Sequence, residues 1–182
     1  MYNAKPFRGK LASRTKEEWE KQIEAFERDE DVLLASMYEA RLAFASKHKD
    51  TGPYGFHYGI VAEGKDYAQA VIEVTHKRVR EPQLKLLQIT LEPHLDLDNR
   101  DGAVIAAPEE GLQLLVSSIT AALRLTFTDH PSLVLKIYAR TDYMRAFLAQ
   151  VAEVLSRDET PIPEGLYIEW EGRWLLFKMN NR

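Results

Sequence analysis

The spacing of apolar residues changes near Gly55, and this change constrains the fold more than any other feature of the sequence. Before Gly55, apolar residues recur every three or four positions, as they do on one face of a helix. After it, short runs rich in aromatic and β-branched residues are typical of strands. The sequence therefore predicts an α/β fold in which two helices precede a sheet.

Two helices are predicted in the first fifty residues. Trp19 and Ile23 fall on one helical face, and Thr15-Lys-Glu-Glu18 has the form of a capping box. We therefore expect the first helix from about residue 15. The acidic cluster 29–31 suits the N-terminus of a second helix, which is expected to end near residues 47–49.

The remaining elements are predicted as strands and helices that follow one another closely. Strands are expected at 56–62, 68–75, 83–92, 133–139, 166–170 and 173–178, with 5–8 as an opening strand. Helices are expected to begin at Pro108 and at Thr141. Glycine and proline residues stand singly between these elements, so one domain covering residues 1–182 is predicted.

Composition limits the classes of protein that this chain can represent. The 182 residues are 45% hydrophobic, which is enough for a core, and the absence of cysteine excludes disulfides and thiolate chemistry. Lys and Arg number 24 against 28 Asp and Glu, so the net charge is −4. This balance predicts no nucleic-acid partner and no membrane partner. No apolar run resembles a transmembrane helix or signal peptide, and a cytoplasmic protein is expected.

The order of these elements resembles that of the GNAT superfamily of acyl-CoA-dependent N-acyltransferases. The resemblance covers almost the entire chain and is supported locally by Leu91-Glu92-Pro93, by the junction from Tyr138 to Phe147 and by the terminal hairpin. It implies a GNAT-like three-layer domain, with a mixed, mostly antiparallel sheet and helices on both faces. The sheet is expected to split between its fourth and fifth strands, where the pantetheine arm of acyl-CoA lies against strand backbone.

The resemblance also implies where acetyl-CoA or another acyl-CoA binds as cosubstrate. Backbone of Thr90, Leu91 and Glu92 is expected to hold the pantetheine arm. The family's pyrophosphate loop, Gln/Arg-x-x-Gly-x-Gly/Ala, is degraded in Asn99–Val104, where Gly102 is the sole glycine. Arg100, Gly102 and Ala103 are the predicted contacts, although nearby aspartates add negative charge that should repel phosphate: Asp96, Asp98 and Asp101.

Two residues are predicted to take part in proton transfer. Glu92 lies where many GNAT enzymes place a carboxylate that accepts the amine's proton, and the alternative is a strand-end glutamate facing solvent. Glu73 is a second candidate, but strand alternation favours water for its side chain. The family's asparagine and acid tyrosine align with Thr141 and Leu148, so Tyr143 is the candidate that would protonate the departing thiolate, or else a core residue.

Two further clusters have a functional and a structural interpretation. His94, Asp96 and Asp98 recur at every second residue and would share one side of an extended segment, as metal ligands can. We favour a solvated loop and predict no metal. The basic run His76–Arg80 contains four positive or titratable side chains, but its acidic neighbours favour a solvated turn over a phosphate contact.

The terminal hairpin is rich in aromatic residues. Trp170 and Trp174 flank its turn at Gly172. Such residues close a core, and in a GNAT-like fold this hairpin also forms subunit contacts, so a homodimer is predicted through it.

Two functions from different classes remain open at this stage. The first is an N-acyltransferase that transfers an acyl group to a small-molecule or peptide amine. The alternative is a catalytically inactive GNAT-like protein that binds a partner or a small ligand, which the missing loop glycines and acid tyrosine favour.

Overall fold

The computed structural model describes residues 2–24, 31–47, 55–77, 80–96, 109–155 and 165–179. Within these ranges the helices are α1 (Gly9–Glu24), α2 (Asp31–Lys47), α3 (Glu109–Leu125) and α4 (Asp142–Leu155). The strands are β1 (Tyr2–Pro6), β2 (Phe56–Ala62), β3 (Ala70–Lys77), β4 (Gln83–Leu91), β5 (Val134–Tyr138), β6 (Leu166–Glu171) and β7 (Trp174–Met179). None of the helices in the described ranges has both the length and the apolar character needed to cross a bilayer.

The seven strands form one sheet in the order β1-β2-β3-β4-β5-β7-β6. Antiparallel pairs join β1 to β2, β5 to β7 and β6 to β7, whereas β4 runs parallel to β5. The parallel register covers Gln83–Leu86, and β4 continues past it to Leu91. The mixed sheet with its helices confirms the predicted α/β fold class.

The chain divides into two compact units. The first unit comprises Met1–Glu73 and Ile89–Ala121, and the second comprises Val74–Gln88 and Ala122–Arg182. Strands β3 and β4 and helix α3 each contribute residues to both units. The single domain predicted for residues 1–182 stays a prediction.

The core of the first unit forms around Trp19 of α1. Its side chain is fully buried, its indole N–H donates to the carbonyl of Ala68 at 2.9 Å, and its ring meets Tyr38 of α2 edge to face. An indole buried with its N–H satisfied gains apolar burial without leaving a polar group unpaired. The other buried residues of this core are Phe7, Ala12, Leu42, Ala45, Val61, Ala68 and Val71.

Helix α1 begins at Gly9, so the start predicted at the Thr15 capping box is wrong. Thr15 lies inside the helix and is fully buried. Its hydroxyl donates to the carbonyl of Leu11 and accepts from the backbone N–H of Ala68, both at 2.8 Å. The side chain is therefore used to join the helix to the segment before β3 rather than to cap its first turn.

In the second unit, the pairing of β5 with β7 places buried apolar side chains opposite one another. Leu135 and Ile137 of β5 lie opposite Phe177 and Leu175 of β7, and all four are buried. The hairpin turns at Gly172, whose φ of 61° favours glycine. The predicted helix start near Thr141 is confirmed, because its hydroxyl accepts the backbone N–H of Met144 at 3.1 Å.

Candidate active site

The candidate site lies in the first unit, where β4 ends. Thr90 and Leu91 are the last residues of this strand and both are buried, and Glu92 follows them with only 1% of its surface exposed. Its backbone N–H donates to the carbonyl of Gln69 at 2.7 Å. A pantetheine contact through the Glu92 amide would have to replace that bond. The backbone contact predicted for Thr90, Leu91 and Glu92 stays a prediction.

The carboxylate of Glu92 is held by two neutral amides. Gln22 of α1 donates its Nε2 to Oε2 of Glu92 at 2.9 Å, and Gln69 donates its Nε2 to Oε1 at 3.3 Å. Burial raises the pKa of the Glu92 carboxyl above its ordinary value, and this effect is opposed first by the bond from Gln22 and then by His94. The site therefore keeps a carboxylate in surroundings that favour its neutral form.

Burial and the negative charge of Glu92 raise the pKa values of two tyrosine hydroxyls, those of Tyr2 and Tyr67. Burial raises the pKa of Tyr2, and Glu92 and Glu110 raise it further. Burial followed by Glu92 also raises the pKa of Tyr67. Both phenols therefore stay protonated at neutral pH and can donate hydrogen bonds.

One acceptor near Glu92 is left unsatisfied. The Oε1 atom of Gln69 is buried and has no hydrogen-bond partner within the described part of the chain. A buried polar atom without a partner is uncommon in folded proteins. This oxygen would accept an N–H or O–H donor that entered the site.

His94 connects the buried carboxylate to the exterior. Its side chain is 45% exposed, and its ring Nδ1 lies 2.9 Å from Oε1 of Gln22 and 3.8 Å from Oε2 of Glu92. The residue belongs to a short 3₁₀ turn, Pro93–Leu95, in which the backbone N–H of Leu95 donates to the carbonyl of Glu92 at 3.0 Å.

The turn differs from the solvated loop predicted here and from its alternative, an extended segment with His94, Asp96 and Asp98 on one side. His94 faces Gln22, whereas Asp96 is buried and accepts the hydroxyl of Tyr38. The side chains of His94 and Asp96 therefore have different partners, as a 3₁₀ turn places neighbouring side chains in different directions. Asp98 lies outside the described residues. Among the residues that the structure describes, no three metal-ligating side chains come together.

The other predicted site residues are not tested. Arg100, Gly102 and Ala103 lie outside the described residues, so the pyrophosphate contacts remain a prediction. Tyr143 is the second residue of α4, and the structure does not describe its side chain. The subunit contact predicted for the terminal hairpin remains a prediction as well.

Gln22 and Gln69 were not among the site residues predicted from the sequence. Gln69 carried a weak signal, since it interrupts the small apolar residues Ala68 and Ala70. Gln22 carried none, because it meets Glu92 across 70 positions of sequence. Glutamine on a helix surface is common, and only tertiary packing reveals such a contact.

Comparisons with known proteins find similar solved structures. No protein-family model matches the chain, and no curated protein matches it. The solved structures similar to it include the KacTA–DNA complex, with 11% identity over 79% of each chain and a TM-score of 0.46. AtaTR bound with acetyl-CoA is 11% identical over 77% of this chain and 79% of that chain, with a TM-score of 0.44.

A third similar structure comes from Desulfovibrio desulfuricans and is assigned to the GNAT acetyltransferases. It is 11% identical over 98% of this chain and 96% of that chain, with a TM-score of 0.38. The DNA in the KacTA structure corrects one prediction above. The exclusion of nucleic-acid partners from a net charge of −4 was wrong, since similar structures are complexes that contain DNA.

Proposed function

We propose that the chain is an acyl-CoA-dependent N-acyltransferase in which Glu92 assists removal of a proton from an acceptor amine. One observation carries the proposal: the Glu92 carboxylate is buried at the end of β4 and is held by the amides of Gln22 and Gln69. A carboxylate with a raised pKa in such surroundings is a candidate for acid–base chemistry.

The acceptor fits the hydrogen-bonding groups of the site. An amine must lose a proton as its nitrogen becomes an amide, so it needs an acceptor within reach. The carboxylate of Glu92 supplies negative charge, and Oε1 of Gln69 supplies an acceptor that has no donor among the described residues. Amine and ammonium N–H groups are donors of the kind this pair of residues can bind.

Acyl-CoA is the cosubstrate in this proposal. Backbone at Thr90 and Leu91 would hold the pantetheine arm, and Arg100, Gly102 and Ala103 would approach the pyrophosphate. Tyr143 would protonate the departing thiolate. These roles follow from the resemblance in element order.

Calorimetric titration of the full chain with acetyl-CoA and with CoA tests the proposal. Micromolar binding is expected. An amine panel should then reveal acyl transfer, and Glu92→Gln should lower kcat/KM by roughly 10²- to 10⁴-fold, the usual contribution of general acid–base catalysis. Glu17→Gln is the matched control, since Glu17 is an exposed carboxylate paired with Arg14 on α1. Equal rates for Glu92→Gln and wild type would remove Glu92 from the mechanism.

The alternative is a GNAT-like binding protein without acyltransferase activity. It agrees with the near-complete burial of Glu92, since a carboxylate closed to solvent can also have a purely structural role. Absence of binding at millimolar acetyl-CoA would support this alternative and contradict the proposed enzyme.

A further inference from the structure

His94 is more exposed to solvent than Glu92, and this difference indicates which of the two residues a substrate contacts first. The carboxylate of Glu92 has 1% of its residue surface exposed and is occupied by two amides, whereas the side chain of His94 is 45% exposed. A substrate arriving from solvent would meet the imidazole before the carboxylate. This inference rests on the proposed acyltransferase function and assigns the proton transfer within it.

Gln22 fixes the chemical state of the imidazole. Its Nε2 donates to the Glu92 carboxylate, so its Oε1 is necessarily the atom that faces His94. An amide oxygen only accepts, and Nδ1 of His94 lies 2.9 Å from it. The neutral ring must therefore carry its proton on Nδ1, which leaves Nε2 as the nitrogen with a basic lone pair.

Additional contacts hold the ring in place. The backbone N–H of His94 also points to Oε1 of Gln22, at 3.5 Å. Oε2 of Glu92 lies 3.8 Å from Nδ1, within the range at which a carboxylate stabilises an imidazolium. Lys65 also lowers the pKa of the Glu92 carboxyl, against the effect of burial. This chain of groups resembles the general arrangement in which a base is oriented by a second side chain and stabilised by a carboxylate.

We propose that Nε2 of His94 is the general base that accepts the proton of the acceptor amine, with Gln22 and Glu92 as positioning residues. The amine nitrogen forms a bond to the thioester carbonyl carbon, and the carbon–sulfur bond breaks. The proton leaves nitrogen for Nε2, and the departing thiolate takes the phenol proton of Tyr143, as proposed above, which Tyr143 regains from water. The imidazolium then returns its proton to water, so the products are an amide and CoA thiol.

The first test uses the full chain and measures the tautomer of His94 by long-range ¹H–¹⁵N NMR at a pH where the ring is neutral. The Nδ1–H tautomer is expected in wild type, with loss of this preference in Gln22→Leu. Gln150→Leu, at an exposed glutamine of α4, is the matched control and should leave the tautomer unchanged. An Nε2–H tautomer in wild type would overturn the inference whether or not the protein transfers acyl groups.

The second test measures acyl transfer. His94→Ala should lower kcat by roughly 10²-fold or more with KM little changed, and added imidazole should restore at least about tenfold of that loss. Imidazole should not restore Glu92→Gln. A merely structural role for His94 would give no rescue by imidazole, and that result would overturn the base assignment. His94→Gln provides a second variant if His94→Ala does not fold.

The two proposals fail in different ways. Wild type that binds no acetyl-CoA and transfers no acyl group would overturn the proposed function together with the role of His94 as base. Wild type that transfers acyl groups, with His94→Ala and His94→Gln both at wild-type rates, would overturn the His94 assignment alone.

Discussion

The surroundings of two glutamates, Glu92 and Glu171, shift the pKa values of their carboxyls in opposite directions. Glu92 in the first unit is buried among neutral amides, and burial raises the pKa of its carboxyl. Glu171 in the second unit is 65% exposed and accepts the ammonium of Lys136 at 2.9 Å, which lowers the pKa of its carboxyl. The same side chain is thus driven toward its neutral form in one unit and toward its ionised form in the other.

The different surroundings of Glu92 and Glu171 indicate which of the two carboxylates is expected to take part in a reaction. An exposed carboxylate beside a lysine is a common surface arrangement with little effect on stability. A buried carboxylate without an ammonium or guanidinium partner among the described residues costs stability, and proteins tend to keep such groups where they serve a function. The comparison therefore directs attention to Glu92 and its neighbours Gln22 and His94.

The largest expected contrast in stability concerns two tryptophans. Trp19→Ala should lower the free energy of unfolding by about 3–5 kcal/mol, because it empties a fully buried site and leaves the carbonyl of Ala68 without its indole donor. Trp170→Ala should cost about 1 kcal/mol or less, because that side chain is 38% exposed. Urea unfolding followed by circular dichroism measures both. Equal losses of unfolding free energy in the two variants would contradict the claim that the core around Trp19 is more tightly packed than the hairpin.

A smaller effect is expected for Glu92→Gln, and its sign depends on pH. Because the pKa of Glu92 is raised on folding, the folded state holds its proton where the unfolded state has released it. Stability therefore falls as pH rises from the ordinary glutamate value through the higher folded value. A glutamine at this position does not ionise, so the Glu92→Gln variant does not lose stability as pH rises. It should be more stable than wild type by about 1 kcal/mol at neutral pH. Urea unfolding across pH measures the difference, which should disappear in acid.

The smallest effect is expected for Glu171→Gln, the matched control with the opposite sign. Lys136 lowers the pKa of Glu171, so its stabilising effect is present above the ordinary glutamate value and is lost as pH falls through the lower folded value. The variant should melt less than about 2 °C below wild type at neutral pH. A pH dependence of the same sign in both variants would contradict the contrast between the two carboxylates.

Much of the fold could be predicted from local patterns. The strand β2 was expected with the bounds that the structure shows, and the helix start near Thr141 followed from its capping side chain. Helix α1 was placed too late, because Thr15 has the sequence form of a cap while its hydroxyl serves a tertiary contact with Ala68. Local sequence cannot distinguish a cap from such a contact.

The candidate site was predicted only in part. Glu92 could be selected because it follows an apolar strand at a position that the resemblance makes functional. The 3₁₀ turn that separates His94 from Asp96 was missed, since their spacing also suits an extended segment. Gln22 could not be predicted, because nothing near it in the sequence indicates a partner 70 residues away.

The measurement that tests the account most directly is a pH titration of the side-chain carboxyl carbons of Glu92 and Glu171 by ¹³C NMR on one sample of the full chain. We expect a pKa for Glu92 above the ordinary value of 4.5 and a pKa for Glu171 below it. Glu92→Gln and Glu171→Gln assign the two resonances. A pKa for Glu92 at or below 4.5 would contradict the claim that burial among neutral amides drives this carboxylate toward its neutral form.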